Sequence, residues 1–362
     1  MGPMLYRRRN AARAVGAGLL AALALALALS GSLRQKAAAG LRRALTAREL
    51  FAAALFLETG YTLKPAEQAA PPPAVPEPAA PAETETASAP ETEPLPETEA
   101  PTAPPAEPQS APFTAADAEG ISMRGNCTYR MDKLELLTRP LGWERAAQGK
   151  VLIIHSHSCE SYTQCEGHTY LPDANFRTLQ KEESVIAVGD ALARELEALG
   201  VKTLHERGYN DYPDYNRSYA EAREKIAGWL EKEPDIVMVL DLHRDALEKP
   251  VRETAALGGV TCARLMLVVG TDEGGLHHPD WERNLSCALK LQALANREEP
   301  ELFKALSFRK ERFNMDMTPG SLIVEVGSTE NTLPEAEASM PYLARYVAQL
   351  LELARAEETG GQ

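Results

Sequence analysis

A chain of 362 residues with 52 acidic and 38 basic side chains, net charge −14, has no basic surplus with which to hold nucleic acid. Its five cysteines, without a Cys-x-x-Cys pair, exclude a disulfide scaffold and a cysteine-built zinc site. Cys159 and Cys165 are close enough in sequence to allow one disulfide in an exported chain, but they read as incidental.

Composition divides the chain unevenly. Residues 1–33 are expected to be a membrane anchor. Ala14 to Leu33 is uncharged and rich in alanine and leucine, long enough to cross a bilayer core. Arg7, Arg8, Arg9 and Arg13 precede it, and no acid occurs before Glu49. The competing reading is a cleaved secretory signal with small residues at Ser30-Gly31-Ser32. On either reading the rest of the chain is exported.

Residues 34–64 are expected to form a juxtamembrane helix, with apolar positions such as Leu41, Leu45, Phe51 and Leu55. Residues 65–112 are a Pro/Glu-rich linker. Nine glutamates lie between Glu67 and Glu107 with no basic residue, so the segment is expected to stay disordered and extended. Those charges account for much of the net −14, and the acidity says little about the folded part.

Residues 113–357 hold the expected catalytic domain. Strands are predicted at 151–154, 201–204, 236–240, 265–269 and 322–326, where β-branched apolar runs are short. Helices are predicted at 184–199, 216–230, 281–295 and 334–355. The first places Val185, Val188, Leu192 and Leu196 at helical spacing before Gly200. Strand alternating with helix implies an α/β fold, a single mostly parallel sheet with helices on both faces.

Three of the apolar runs lead into polar residues. Val151–Ile154 is followed by His155-Ser156-His157-Ser158-Cys159-Glu160, Ile236–Leu240 by Asp241-Leu242-His243-Arg244-Asp245, and Leu322-Ile323-Val324 by Glu325. In α/β folds ligands bind beyond the carboxyl ends of strands. His157, Glu160 and His243 form the candidate metal set, since two histidines and a carboxylate leave zinc an open position, as in catalytic sites. Glu325, a charge where an apolar strand should continue, is the candidate general base and acid. Arg244 is the second candidate catalytic residue, orienting a carboxylate of the substrate or else pairing with Asp241 or Asp245. His155 is two residues from His157, and in an extended chain the two share a face, so spacing does not remove it from the ligand set. His168, His205, His277 and His278 are weaker candidates.

Four segments carry a resemblance to a known family. They are His155-Ser156-His157-Ser158-Cys159-Glu160-Ser161-Tyr162, Tyr215-Asn216-Arg217-Ser218-Tyr219, Asp241-Leu242-His243-Arg244-Asp245-Ala246 and Glu325-Val326-Gly327-Ser328-Thr329-Glu330-Asn331-Thr332. In this order, across about residues 150–350, the chain resembles the stage II sporulation protein P family. The resemblance implies a zinc amidase-like fold and a Zn2+-dependent peptidoglycan hydrolase, an N-acetylmuramoyl-L-alanine amidase with a second activity on peptide cross-links. It further implies action in forespore engulfment beside stage II sporulation proteins D and M. The protein would be held by a single membrane span, with its catalytic domain between the forespore and mother-cell membranes. In the wider amidase class the carboxylate ligand comes from the start of the helix after the first strand. Glu182 and Glu183 stand there and compete with Glu160, which the short His-x-x-Glu loop favours. The rival readings are an exported zinc carboxypeptidase or endopeptidase using the same ligands, and a non-catalytic wall-binding scaffold with no reason to hold zinc.

Overall fold

The computed structural model describes residues 112–171, 176–246 and 251–360. The expected anchor, the juxtamembrane helix and the linker up to residue 111 lie outside them. Among the described residues no helix is long and apolar enough to cross a membrane.

The apolar run Val151–Ile154 lies in strand β2 (Lys150–Ile154), and β1 is the short Met123–Gly125 before it. After β2 come β3 (Thr203–His205), β4 (Ile236–Asp245), β7 (Leu265–Gly270), β8 (Leu306–Arg309) and β9 (Gly320–Ser328), with β5 and β6 forming a hairpin described below. Seven strands make one sheet in the order β1-β8-β7-β9-β4-β2-β3. Every pairing is parallel except β7 with β9, so two parallel blocks run in opposite directions across that seam.

The expectation of a single sheet is corrected by the hairpin of β5 (Thr254–Leu257) and β6 (Val260–Ala263), a separate two-stranded sheet. Its two-residue turn is Gly258-Gly259, both at positive φ, the geometry that matches strand twist and that glycine adopts at no steric cost. β1 and β8 were also not anticipated, being too short to show a period.

β4 and β9 run further than the apolar pattern predicts. In β4, Met238, Leu240 and Leu242 face one side while Val239, Asp241 and His243 face the other. Leu242 keeps the strand anchored in the core, so polarity on alternate positions does not end it. Glu325 likewise sits inside β9, between Val324 and Val326, both buried.

Helices cover both faces, unequally. Val151, Ile153, Met238, Leu240 and Leu242 join the larger core, where α3 (Val185–Ala198), α5 (Trp281–Glu298) and α7 (Met340–Gly360) pack. Leu152, Ile154 and Val239 face α4 (Ser218–Lys232), through Ala222 and Ile226, in a smaller core that Met317 also joins. Two short helices, α1 (Ala115–Gly120) and α2 (Lys133–Thr138), lie against α5. The helix predicted at 334–355 is broken into α6 (Leu333–Glu337) and α7. Thr332 and Glu335 form a capping box at the start of α6. Ser339, at the break, donates its hydroxyl to Ala263 O at 2.6 Å and ties the bend to the hairpin.

α1 is held by Arg297 of α5, whose Nε and Nη2 each donate to Asp117 at 2.8 Å. These bonds hold the Asp117 carboxyl well below the usual carboxylate range. A carboxyl with a depressed folded pKa stabilises the fold above its unfolded value of about 3.9 and loses that contribution as pH falls below it. Asp117→Asn is therefore expected to cost about 1–2 kcal/mol at pH 7 and to remove part of the stability loss below pH ~4, read by urea unfolding at both pH values.

Candidate active site

The candidate residues gather on the α4 face of the sheet, at the carboxyl ends of β2 and β4. Parallel register puts Leu152 beside Val239, Ile154 beside Asp241, and His243 beside Glu325. His243 and Glu325 therefore project from neighbouring strands to the same side. Tyr219, in the first turn of α4, lies over them. Its ring is 6.4 Å from His243, nearly parallel, and 5.4 Å from His157, edge-on.

His157 reaches the same place by leaving the sheet. Residues 156–159 form a turn, and buried aspartates pin it. Asp241 accepts from the Ser156 amide at 2.7 Å and from its hydroxyl. Asp211 accepts from the Ser158 hydroxyl at 2.7 Å and from the Cys159 amide at 3.1 Å. Arg177 neutralises Asp211 at 2.8 Å. The turn brings the His157 and His243 rings to 5.3 Å, edge to face.

That turn also separates His157 from His155, so the expectation that they share a face fails. The chain is no longer extended between them. His155 continues the β2 alternation to the α3 side, where Nδ1 meets Leu242 O at 3.1 Å and Nε2 meets His205 Nε2 at 2.8 Å. Gly189 of α3 makes room: a Cβ there would stand 2.5 Å from His205 Nε2 and 2.7 Å from His155 Nε2. With both nitrogens engaged and burial pushing its pKa to about 3, His155 is a neutral core residue outside the candidate set.

Glu160 is buried, with Oε2 3.6 Å from His243 Nδ1. Its backbone carbonyl accepts from Val185 N at the start of α3. Arg244 fixes its carboxylate, through the backbone amide at 3.1 Å to Oε2 and Nη1 at 3.3 Å from Oε1. The remaining Arg244 donors reach Ser161 O at 3.2 Å and Phe176 O at 3.3 Å. Arg244 is 5 % exposed and turned inward onto Glu160, a partner that the sequence reading did not weigh. Asp245 pairs with Lys304 at 3.1 Å, and Asp241 lies 2.9 Å from His243 Nε2. The competing carboxylates sit elsewhere. Glu183 is 3.4 Å from His168 Nδ1, and Glu182 is exposed.

Electrostatics follow from this arrangement. Burial alone would lower the His243 pKa, but Asp241, Glu160 and Glu325 around it raise it to about 10. Burial holds His157 low and neutral. Glu325 remains partly open to solvent as a residue, yet its Oε2 is shut off and without a hydrogen-bond partner. That burial pushes its carboxyl up to about 8 against the pull of His243. His157 Nδ1 is likewise buried without a hydrogen bond, with Asp211 Oδ2 3.9 Å away. Among the described residues no three His, Cys, Asp or Glu side chains converge at metal-holding distance. All five cysteines, Cys159 and Cys165 included, are free thiols.

Sequence reading missed Asp211, Asp241 and Arg177 as parts of the site. Their roles depend on contacts across 34 or more residues, and no local spacing signals them. Tyr215 and Tyr219 stood in a motif without an assigned role. The structure stacks Tyr215 on His157, ring centres 4.6 Å apart and nearly parallel.

Set beside known proteins, a stretch of 202 residues is 28 % identical to the stage II sporulation protein P of Bacillus subtilis (strain 168), covering 52 % of this chain. The match spans 47 % of that relative's length, about half of it. Among solved structures, the N-acetylmuramyl-L-alanine amidase Ami1 from Mycobacterium smegmatis aligns with 56 % of this chain and 97 % of its own, at 11 % identity and a TM-score of 0.34. The CwlD amidase from Clostridioides difficile, in complex with the GerS lipoprotein, aligns with 55 % of this chain and 98 % of its own, at 13 % identity and a TM-score of 0.33. Likeness at that level carries no weight for the chemistry. The family model described as Stage II sporulation protein P (SpoIIP) matches residues 66–348, most of the chain, and the chain belongs to that family.

Proposed function

We propose that the protein is a zinc-dependent peptidoglycan hydrolase that cleaves the amide between the muramic acid lactyl group and L-alanine. The observation that carries this reading is the register of β4 and β9. It sets Glu325, with a buried oxygen lacking a hydrogen bond and a raised pKa, beside His243 and within the electrostatic reach of Glu160. Perturbed carboxylates among convergent polar groups are the mark of acid–base sites.

The donor types are those zinc takes, two imidazoles and a carboxylate, although the three side chains do not converge to metal-holding distance among the described residues. His157 offers a neutral ring with a buried nitrogen lacking a hydrogen bond, and the carboxylates that hold a proton on His243 would hold a divalent cation in its place. His157, Glu160 and His243 would bind it, and zinc bound there supplies Lewis acidity and brings the pKa of water to about 7. The chain's own residues do the rest. The Glu325 carboxylate takes a proton from the water that attacks the lactyl carbonyl and returns it to the departing alanine nitrogen. Asp241 and Ser156 set the position of His243, Asp211 and Arg177 set the turn that carries His157, and Arg244 sets Glu160.

Family membership supports a role in sporulation, with peptidoglycan as substrate, stage II sporulation proteins D and M as partners and a membrane-held location outside the cytoplasm. The second activity on peptide cross-links belongs to this proposal too. The experiment is digestion of purified sacculi by the zinc-loaded chain. Soluble peptide release that stops with a chelator and resumes with zinc is expected, and a wall-binding scaffold would give neither release nor stoichiometric zinc.

The carboxylate ligand has its own test. Glu160→Gln is expected to weaken zinc at least tenfold in chelator competition, while Glu182→Gln and Glu183→Gln leave it unchanged. Loss of zinc in either of the latter variants alone would move the ligand to the helix start.

A further inference from the structure

The proposed reaction leaves unused a cavity of about 920 Å³ beside the candidate site, within the ~300–1,000 Å³ range of small-ligand sites. Residues 169–171 and 177–180 form its walls, with Cys159 and Tyr212. Arg177 joins it to the chemistry. Its guanidinium packs on Tyr215, 4.8 Å from the ring centre, and Tyr215 stacks on His157. The cavity and the His157 ring are thus separated by one aromatic layer.

Its lining has a distinct character. Among the described residues nine large apolar side chains are exposed, and three of them, Leu171, Leu179 and Tyr212, line this cavity. Leu171 is 89 % exposed and Tyr212 55 %, so neither is held out by packing against a core. Solvent-facing apolar surface concentrated in one concavity marks a binding site. Among the described lining residues charge is balanced. Arg177, the one charged side chain among the described lining residues, is matched by Asp211. Polar neutral groups remain, in Thr169, Thr178 and Gln180.

This chemistry separates the two halves of the substrate. The stem peptide beyond L-alanine carries carboxylates, for which the described lining residues offer one arginine, already paired. The glycan is uncharged apart from its lactyl link, and its pyranose rings present apolar C–H faces that lie flat on tyrosine and leucine. Resting on the amidase reading, we infer that this cavity is a subsite for an uncharged N-acetylhexosamine of the glycan strand, on the sugar side of the scissile amide. Tyr212 and Leu179 are its stacking surfaces. A bound sugar there orients the lactyl amide toward His157 and Glu325 and sets specificity for glycan-attached over free peptide amides.

The test is binding of N-acetylglucosamine tetramer to the full chain, followed by calorimetry and by saturation-transfer NMR. Binding is expected in the unmodified chain and in Glu325→Gln, which lacks only the base. Tyr212→Ala is expected to weaken it at least tenfold with an unchanged thermal midpoint, since the side chain is exposed, and Leu179→Asp should act the same way. Tyr212→Ala should also raise KM for sacculi more than it lowers kcat. No binding by the unmodified chain, equal binding by the variants, or displacement of the sugar by free stem peptide would overturn the inference. Sugar binding without any amide hydrolysis would leave the subsite standing and remove the amidase reading. Hydrolysis without sugar binding would do the reverse.

Discussion

Glu325→Gln is expected to lower hydrolysis of sacculi by about 10²- to 10⁴-fold while leaving the fold and zinc content unchanged. Glutamine keeps the shape and one hydrogen-bonding oxygen but has no basic site for a proton. One polar atom replaces another at the buried Oε2 position that lacks a hydrogen bond, so the thermal midpoint should stay close to that of the unmodified chain. Activity on sacculi, elemental zinc analysis and a thermal midpoint, measured on one preparation, check the three parts together. Near-normal hydrolysis would make Glu325 structural. Loss of zinc instead would make it a ligand, and the place given to Glu160 would fall with it.

His157→Ala and His243→Ala are each expected to abolish zinc binding and hydrolysis, read by elemental analysis and peptide release. Without metal the two should differ in stability. His243 sits among Asp241, Glu160 and Glu325, and its charge offsets theirs, whereas His157 is buried neutral. Removing one partner of a buried charge cluster typically costs about 3–5 kcal/mol. His243→Ala should approach that figure at pH 7, and His157→Ala should fall well short of it. The sign with pH follows from the raised folded pKa. The contribution of His243 is fully present below its unfolded value of about 6.5 and is lost as pH rises through about 10. The stability gap between His243→Ala and the unmodified chain should therefore narrow on going from pH 7 to pH 10 in the metal-free protein. A gap that is constant with pH would mean His243 is neutral in the fold.

Much of the scaffold could be read from the chain because its signals are local. Val151–Ile154, Leu265–Val269 and the helix spacing of Val185, Val188, Leu192 and Leu196 are periodic within a few residues, and each falls in an observed element. The same local view set the end of the third predicted strand at Leu240. Asp241 and His243 look like a loop until Leu242 is seen packing on the far side of the sheet. What no window of sequence could hold is pairing order. The reversal between β7 and β9 arises from which edges meet, and β1 and β8 are too short to show a pattern. In the site, the residues bearing the chemistry stood out as charges beside apolar runs. Those that hold them in place did not. Arg244 is adjacent to His243 in sequence, yet its partner is Glu160, 84 residues earlier. Asp211 pins the His157 turn from a segment with no period at all.

The central claim is the identity of the bond cut, and one measurement addresses it most directly: mass and N-terminal analysis of the products released from sacculi by the zinc-loaded chain. The account predicts stem peptides with a newly freed L-alanine amine, and glycan strands whose lactyl groups end in newly freed carboxylates. Released peptides that remain joined to muramic acid, with new termini only inside the stem or the cross-link, would contradict it.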